Sequence, residues 1–247
     1  MLISIQGLRA GAGSSFCAAN LAELYASANR PVALVSTAPA PSTFETYWGL
    51  PLTSGKSWVR QITSNQPLAE AAVRAELGFP VLFSFGAQAA LSAQEAESTA
   101  PKLLAALSGA ALTHVLVDAG GINTPCSQVF RSLATLVVTV LEPDHDSLLR
   151  LMEYHPLDNE VFVLNKVVPG SSVGYRLTSY LETEPRFVGK LITPVLAADE
   201  AARESGFLLT RVVKSAPTSA VSQSLGALAE SLLHAEARLA ARRARKN

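Results

Sequence analysis

The chain is poor in cysteine: of its 247 residues only Cys17 and Cys126 carry thiols, far apart and without histidines at paired spacing. That excludes a disulfide framework and a cysteine-histidine metal site, and predicts two reduced, partly buried small apolar side chains. Net charge is missing as well, 20 Lys and Arg standing against 20 Asp and Glu. A balanced chain has no global pull toward nucleic acid or anionic lipid, so no nucleic-acid partner is expected. No apolar run is long enough to cross a bilayer,. The first residues lack a basic stretch ahead of an apolar core, which predicts a cytoplasmic protein without a signal peptide,. No charge run, Gly/Ser linker or repeat divides the chain, which predicts one domain over residues 1–247,.

What is present is alternation. Short apolar runs predict strands near Leu2–Gln6, Val32–Ser36, Val81–Phe85, Val115–Asp118, Leu136–Leu141, Val161–Asn165 and Phe187–Ile192. Several are continuous rather than alternating, as in strands buried on both faces of a parallel sheet. Helical segments are predicted between them, at Ser15–Ala28, Lys56–Thr63, Leu68–Leu77, Ala93–Leu107, Ser127–Ala134, Ser147–Tyr154, Val173–Leu181 and Asp199–Gly206. A last helix, from about Ser219 to Arg243, follows Pro217 and Thr218 and places Val221, Leu225, Leu228, Leu232 and Leu239 on one face,. The predicted class is α/β, a doubly wound, mostly parallel sheet with helices on both faces. Ligands of such folds gather beyond the carboxyl ends of the strands, which singles out segments 7–15, 36–44, 118–124, 142–147 and 165–170.

In the first of these, Gln6-Gly7-Leu8-Arg9-Ala10-Gly11-Ala12-Gly13-Ser14-Ser15-Phe16 joins a short strand to an Ala-rich helix. A small-residue turn in that setting can wrap backbone N–H groups around a phosphate, aided by the free donors of the helix start. It also occurs simply where a connection is tight. Ser14 occupies the place of the lysine that reaches the β- and γ-phosphates of a nucleotide,. A charge-assisted hydrogen bond is worth about 1.5–3 kcal/mol, so its loss weakens binding by roughly one or two decades without abolishing it.

This segment resembles the deviant Walker A loop of the MinD/ParA ATPases, with Arg9 at the signature-lysine position, Gly11 and Gly13 holding the turn, and Ser15 matching the magnesium-binding hydroxyl. Val117-Asp118-Ala119-Gly120-Gly121 is similar to the Walker B element, and Val161-Phe162-Val163-Leu164-Asn165 to the strand whose terminal Asn reads adenine. Ile192-Thr193-Pro194, Asp199-Glu200-Ala201, Gly206, Pro217 and Ala220 follow the C-terminal pattern of these ATPases. A nearer resemblance is to BcsQ (YhjQ), a cellulose-biosynthesis family within the same superfamily. It rests on Gly7-Leu8-Arg9, on the hydroxyl at Ser14, and on the spacing of Phe44, Trp58-Val59-Arg60 and Phe83-Ser84-Phe85-Gly86.

The resemblance implies a nucleotide-binding accessory or regulatory protein of bacterial cellulose synthesis and secretion, and hence of biofilm formation. Its cofactors would be ATP and Mg2+, with nucleotide contacts from Arg9, Ala10, Gly11, Ala12, Gly13, Ser14, Ser15, Phe16, Asn165 and Pro194, and metal contacts from Ser15 and Asp118. It implies an ATP-stabilised homodimer, with Arg9 reaching across the interface. Its partners would be a BcsR-like small subunit, a BcsE-like regulator and the inner-membrane cellulose synthase complex, to which the protein would be recruited. After the second strand, where the superfamily carries two acids that position the hydrolytic water, this chain has Ser36 and Ala40, neither able to act as a base,. Little or no hydrolysis is therefore expected and no catalytic residue is assigned. An active positioning or partitioning ATPase and a nucleotide-free scaffold are the alternatives.

Several residues carry two readings. Arg9 would contact a partner's nucleotide or stand solvated on a loop. Asp118, ending a buried strand, would face a metal or cap the next loop; Asn165 would contact adenine or satisfy its own loop. The cluster Glu142, Asp144, His145 and Asp146 is best explained by capping at a helix start,. His114, His155 and His234 have no convergent partners in sequence. Arg238, Arg242, Arg243, Arg245 and Lys246 form a basic tail with too little apolar area beside Leu239 for membrane insertion,. Trp48 and Trp58 are core residues or partner anchors.

Overall fold

Continuous apolar runs belong inside a parallel sheet, where both faces are covered. The computed structural model, which describes residues 1–38, 47–48, 57–83 and 91–244, puts them there. Strand β1 (Leu2–Gly7) leads through α1 (Ser14–Ser27) to β2 (Val32–Ser36). Helix α2 (Trp58–Thr63) and a 3-10 turn at Leu68–Glu70 precede β3 (Ala72–Arg74) and β4 (Pro80–Leu82). There follow α3 (Ala93–Ser108), β5 (His114–Gly121), α4 (Pro125–Leu133), β6 (Leu136–Leu141), α5 (His145–Glu153) and β7 (Glu160–Leu164). Helices α6 (Ser172–Thr183), α7 (Glu200–Phe207), α8 (Val212–Ser215) and α9 (Ala220–Ala244) complete the described chain.

The seven strands lie in the order β3-β4-β2-β5-β1-β6-β7, all parallel except the edge strand β3. All residues of β1, β2, β6 and β7 are buried. Ile3 and Ile5 point into one core layer with α1 and α9, while Leu2, Val35 and Val117 point into the other with Phe130 and Leu103. Helix α9 buries Val221, Leu225, Leu228 and Leu232, with Leu239 packed at the edge of that layer. A fully buried Leu contributes about 1.5–3 kcal/mol. Arg238 and Arg242 lie on its exposed side. Among the described residues no helix is long and apolar enough to cross a membrane.

Helix starts follow local chemistry. Thr124 Oγ1 accepts from the Ser127 N–H with Pro125 opening α4, Ser92 and Glu95 form a reciprocal capping box on α3, and Asp144 Oδ1 accepts from the Ser147 N–H at α5,.

Two expectations fail. Segment 68–77 is not a helix: after the 3-10 turn, Ala72–Arg74 pairs antiparallel with β4. Its Ala, Glu and Leu favour a helix, but Gly78 at φ +82° and the Ala75 N–H bond to Phe79 O fold the chain back so that Val73 pairs with Val81. Tertiary pairing overrides propensity. Phe187–Ile192 makes one bridge, Leu191 with Phe162, because a turn at Gly189 (φ +74°) interrupts it. Of the strand expected at Val81–Phe85, residues beyond Phe83 lie outside the described residues.

Candidate functional site

The connections leaving β1 and β6 run toward opposite edges of the sheet, which opens a crevice beyond their carboxyl ends,. The loop of residues 8–13 crosses this crevice. Leu8 N–H donates to Val140 O (2.9 Å), anchoring the loop to β6. Gly11 and Gly13 take φ of +80° and +104°, in the left-handed region that favours glycine,. A Cβ on Gly13 would lie 2.2 Å from Asn165 Nδ2, so that glycine is also required by close approach. Gly13 is the N-cap of α1 and supplies no side-chain cap, which leaves the first N–H groups of α1 for a ligand,.

Ser15, on the first turn of α1, donates its hydroxyl to Asp118 Oδ2 at 2.6 Å. Asp118 is 2% exposed, on β5 next to β1, and its backbone carbonyl accepts from Thr37 N–H and Oγ1 at 3.1 and 3.0 Å. The buried carboxylate acts on its surroundings. Burial first, then the charge of Asp118, pushes the Cys17 thiol up to about 12. Tyr47 is likewise raised to about 12 by burial, then by Cys17 and Asp118. Cys126 is raised to about 11 by burial. Both cysteines are free and buried, as their sequence context predicts, and are unreactive thiols at neutral pH,.

A cavity of about 660 Å³ opens beside the loop, lined by Gly11, Gly13, Ser14, Ser15, Phe16 and Asn165 together with Tyr47, Lys166 and the start of α7. Six of the ten nucleotide-site residues expected from sequence therefore meet there. The other four do not line it. Within the loop, Ala12 is buried and Ala10 is exposed. Pro194 follows Thr193, whose carbonyl accepts from Ser231 Oγ (2.9 Å) and so braces α9. Arg9 is turned away, onto two carboxylates.

The guanidinium of Arg9, about a quarter exposed, is held by two carboxylates. Nη2 contacts Glu142 Oε2 at 2.6 Å and pairs with Asp144, to which Nε also donates at 2.8 Å. These bonds, the Asp144 hydrogen bond foremost, raise the Arg9 pKa above its ordinary value. Asp144 thus serves both as the α5 cap and as an anchor for Arg9. Asn165 spends its amide on the loop as well, Nδ2 donating to Ala12 O at 2.9 Å. Its position at the cavity wall fits the expectation of a ligand-facing Asn; its hydrogen bond fits the alternative that it satisfies the loop.

Sequence comparison with Walker motifs misses Lys166. Its Nζ donates to Gly11 O (2.7 Å) and Glu142 Oε2 (2.9 Å), and its backbone holds φ +58°. The only signal in the sequence is its place directly after Asn165, in one of the five segments at the strand ends. The His114 ring finds partners that no sequence spacing marks: Nε2 meets Glu236 Oε2 at 3.1 Å, and Nδ1 meets Thr113 Oγ1 at 2.9 Å. Trp58 is fully buried and donates to Ser36 O (2.9 Å), while Trp48 stacks beneath Arg211 with 4.4 Å from ring centroid to guanidinium. Both serve this chain's own packing. Ser36 Oγ accepts from Ala38 N–H (3.3 Å). Ala40 lies outside the described residues, as do Phe44, Ser84-Phe85-Gly86, Arg245 and Lys246.

Comparison with solved structures agrees with this geometry. A ParA family ATPase from Chlorobium tepidum TLS superposes with a TM-score of 0.71 at 18% identity, over 92% of this chain and 96% of that one. The septum site-determining protein MinD from Pyrococcus horikoshii OT3, complexed with Mg-ADP, gives 0.69 at 16% identity over 94% and 95%. MinD in the MinC:MinD cell division complex of Aquifex aeolicus gives 0.73 at 15% over 94% and 95%. At such identities the likeness establishes the fold, that of the MinD/ParA-type P-loop NTPases. No curated protein matches the chain. The family model described as cellulose biosynthesis protein BcsQ matches residues 1–233, and the chain accordingly belongs to the BcsQ family.

Proposed function

We propose that this protein is an ATP- and magnesium-binding regulator of bacterial cellulose synthesis and secretion that works as a nucleotide-stabilised dimer and turns ATP over slowly or not at all. The observation that carries the nucleotide is the 2.6 Å contact of Asp118 Oδ2 with the hydroxyl of Ser15, which lines a 660 Å³ cavity together with Gly11 and Gly13 of the loop. The residues fit the absent groups. Ser15 and Asp118 are hard oxygen donors of the kind magnesium takes, and a two-donor protein site suits an ion that keeps its waters and phosphate oxygens. Gly11, Gly13, Ser14 and the open first turn of α1 would cradle the phosphates,.

Arg9 reaches a partner's nucleotide only by leaving Glu142 and Asp144, exchanging two carboxylates for phosphate oxygens. Both states give the guanidinium bidentate anionic partners, so the exchange is near balance and the nucleotide tips it. The composite surface of the dimer would face a BcsR-like subunit, a BcsE-like regulator and the inner-membrane synthase. Slow turnover is supported by Ser36, a neutral side chain where the superfamily has an acid,.

Calorimetry of the purified chain with MgATP, followed by mass measurement with and without nucleotide, tests this. Saturable binding and an ATP-dependent doubling of mass are expected, with the doubling lost in Arg9→Ala. An unchanged dimer in Arg9→Ala would remove the cross-interface role. Absence of heat up to millimolar MgATP would leave a scaffold without nucleotide, and rapid phosphate release would indicate an active ATPase.

A further inference from the structure

We infer that Lys166 supplies, from the end of β7, the phosphate-directed cation that the loop lacks at Ser14. The inference rests on the nucleotide reading proposed above. The cavity beside the loop has two cationic side chains in its described wall, Lys166 and Arg203. Arg203 is largely exposed and pairs with its helical neighbour Glu200. Lys166 alone of the two touches the loop, Nζ standing 2.7 Å from Gly11 O. Gly11 and Gly13 flank Ala12, whose carbonyl is held by Asn165, the residue before Lys166. Two consecutive side chains of one strand end thus fasten the loop, one by an amide and the other by an ammonium.

An ammonium has three donors. Gly11 O and Glu142 Oε2 take two of them, which leaves the third for an oxygen of a bound phosphate chain. Glu142 also binds Arg9, so it is shared between two cations and is itself compensated when either moves. The left-handed backbone at Lys166 (φ +58°) is uncommon for a side chain of this type,. It is held where Asn165 N–H bonds Leu141 O and Val167 N–H bonds Leu196 O. That conformation directs the residue back toward the loop instead of along the strand. Any ligand with a polyphosphate placed on the loop would then find one lysine and one set of backbone donors, as in an ordinary P-loop, with the lysine delivered by a different strand.

The test measures MgATP affinity by calorimetry in the full chain, for wild type, Lys166→Ala, Lys166→Arg, and the double variant Lys166→Ala with Ser14→Lys. Lys166→Ala is expected to weaken ATP roughly ten- to hundredfold. Lys166→Arg should keep most of the affinity, and Ser14→Lys should restore it in the Lys166→Ala background by returning the charge to the loop. ATP affinity within twofold of wild type in Lys166→Ala overturns the inference while leaving the nucleotide reading intact. So does a loss that neither Lys166→Arg nor Ser14→Lys reverses, for the residue would then act only on loop folding. Failure of the wild type itself to bind ATP removes the nucleotide reading, and this inference with it.

Discussion

The exits of β1 and β2 stand two strands apart on the same edge of the sheet and have been put to different uses. At the β1 exit, backbone donors on α1 are left open and a hydroxyl and a buried carboxylate converge at 2.6 Å. At the β2 exit, the described polar groups are consumed internally. Ser36 O receives the Trp58 indole, Ser36 Oγ receives Ala38 N–H, and Thr37 donates twice to Asp118 O. The first exit leaves backbone donors open, while the described groups of the second bond to the chain itself. On the nucleotide reading proposed above, binding would use the first exit, while the second carries the neutral Ser36 where cleavage would want an acid,. The two exits are nevertheless joined, since Asp118 offers its side chain to Ser15 and its carbonyl to Thr37.

The heaviest blow to the β1 exit is Gly13→Ala. The new Cβ would meet Asn165 Nδ2 at 2.2 Å in a backbone of φ +104°. A non-glycine residue in such a region costs about 1–3 kcal/mol before the clash is counted. Thermal melting should show Tm lower by roughly 5–10 °C, and ATP should no longer stabilise the variant. Smaller and opposite in sign is Ser14→Lys, which should tighten MgATP by about tenfold. Phosphate release should stay at the wild-type level, because the β2 exit still lacks an acid at Ser36. A variant that both binds and cleaves faster would break the division of labour between the exits.

Much of this division is legible in the sequence, for a physical reason. Loop shape is written in consecutive residues, so Gly11, Gly13, Ser14 and Ser15 announce themselves, and the apolar run Leu136–Leu141 gives β6 its observed bounds. Contacts between distant segments are not written that way. Arg9 stands 135 residues from Asp144, and Lys166 lies 155 residues from Gly11. No spacing rule joins either pair; only the sheet order, which lays β1 beside β6 and β6 beside β7, brings them together. The helix expected over 68–77 fails on the same ground. Its residues suit a helix locally, while the partner that makes Ala72–Arg74 a strand arrives after the turn at Gly78. His114 is the third case, its acid coming from α9, 122 residues on.

The comparison also predicts a small difference in pH response, because the β1 exit is tied by charge and the β2 exit by neutral bonds. Burial pushes the Asp144 carboxyl up, but the Ser147 N–H and the Arg9 guanidinium outweigh it, and the net pKa lies below the ordinary value. A carboxyl depressed in the folded state contributes stability above its unfolded pKa of about 3.9, and loses it as pH falls through the lower folded value. Asp144→Asn should therefore be less stable than wild type from neutral pH down to about 4, with the gap closing below that as wild type is protonated. Trp58→Phe, which removes the indole bond to Ser36 O, should lose a similar amount at every pH, since none of its groups titrates there. Urea unfolding of the three proteins at pH 7, 5, 4 and 3 separates the two. No gap for Asp144→Asn at pH 7 would mean that the cap to Ser147, which an asparagine also makes, rather than the charge toward Arg9, is what the β1 exit depends on,.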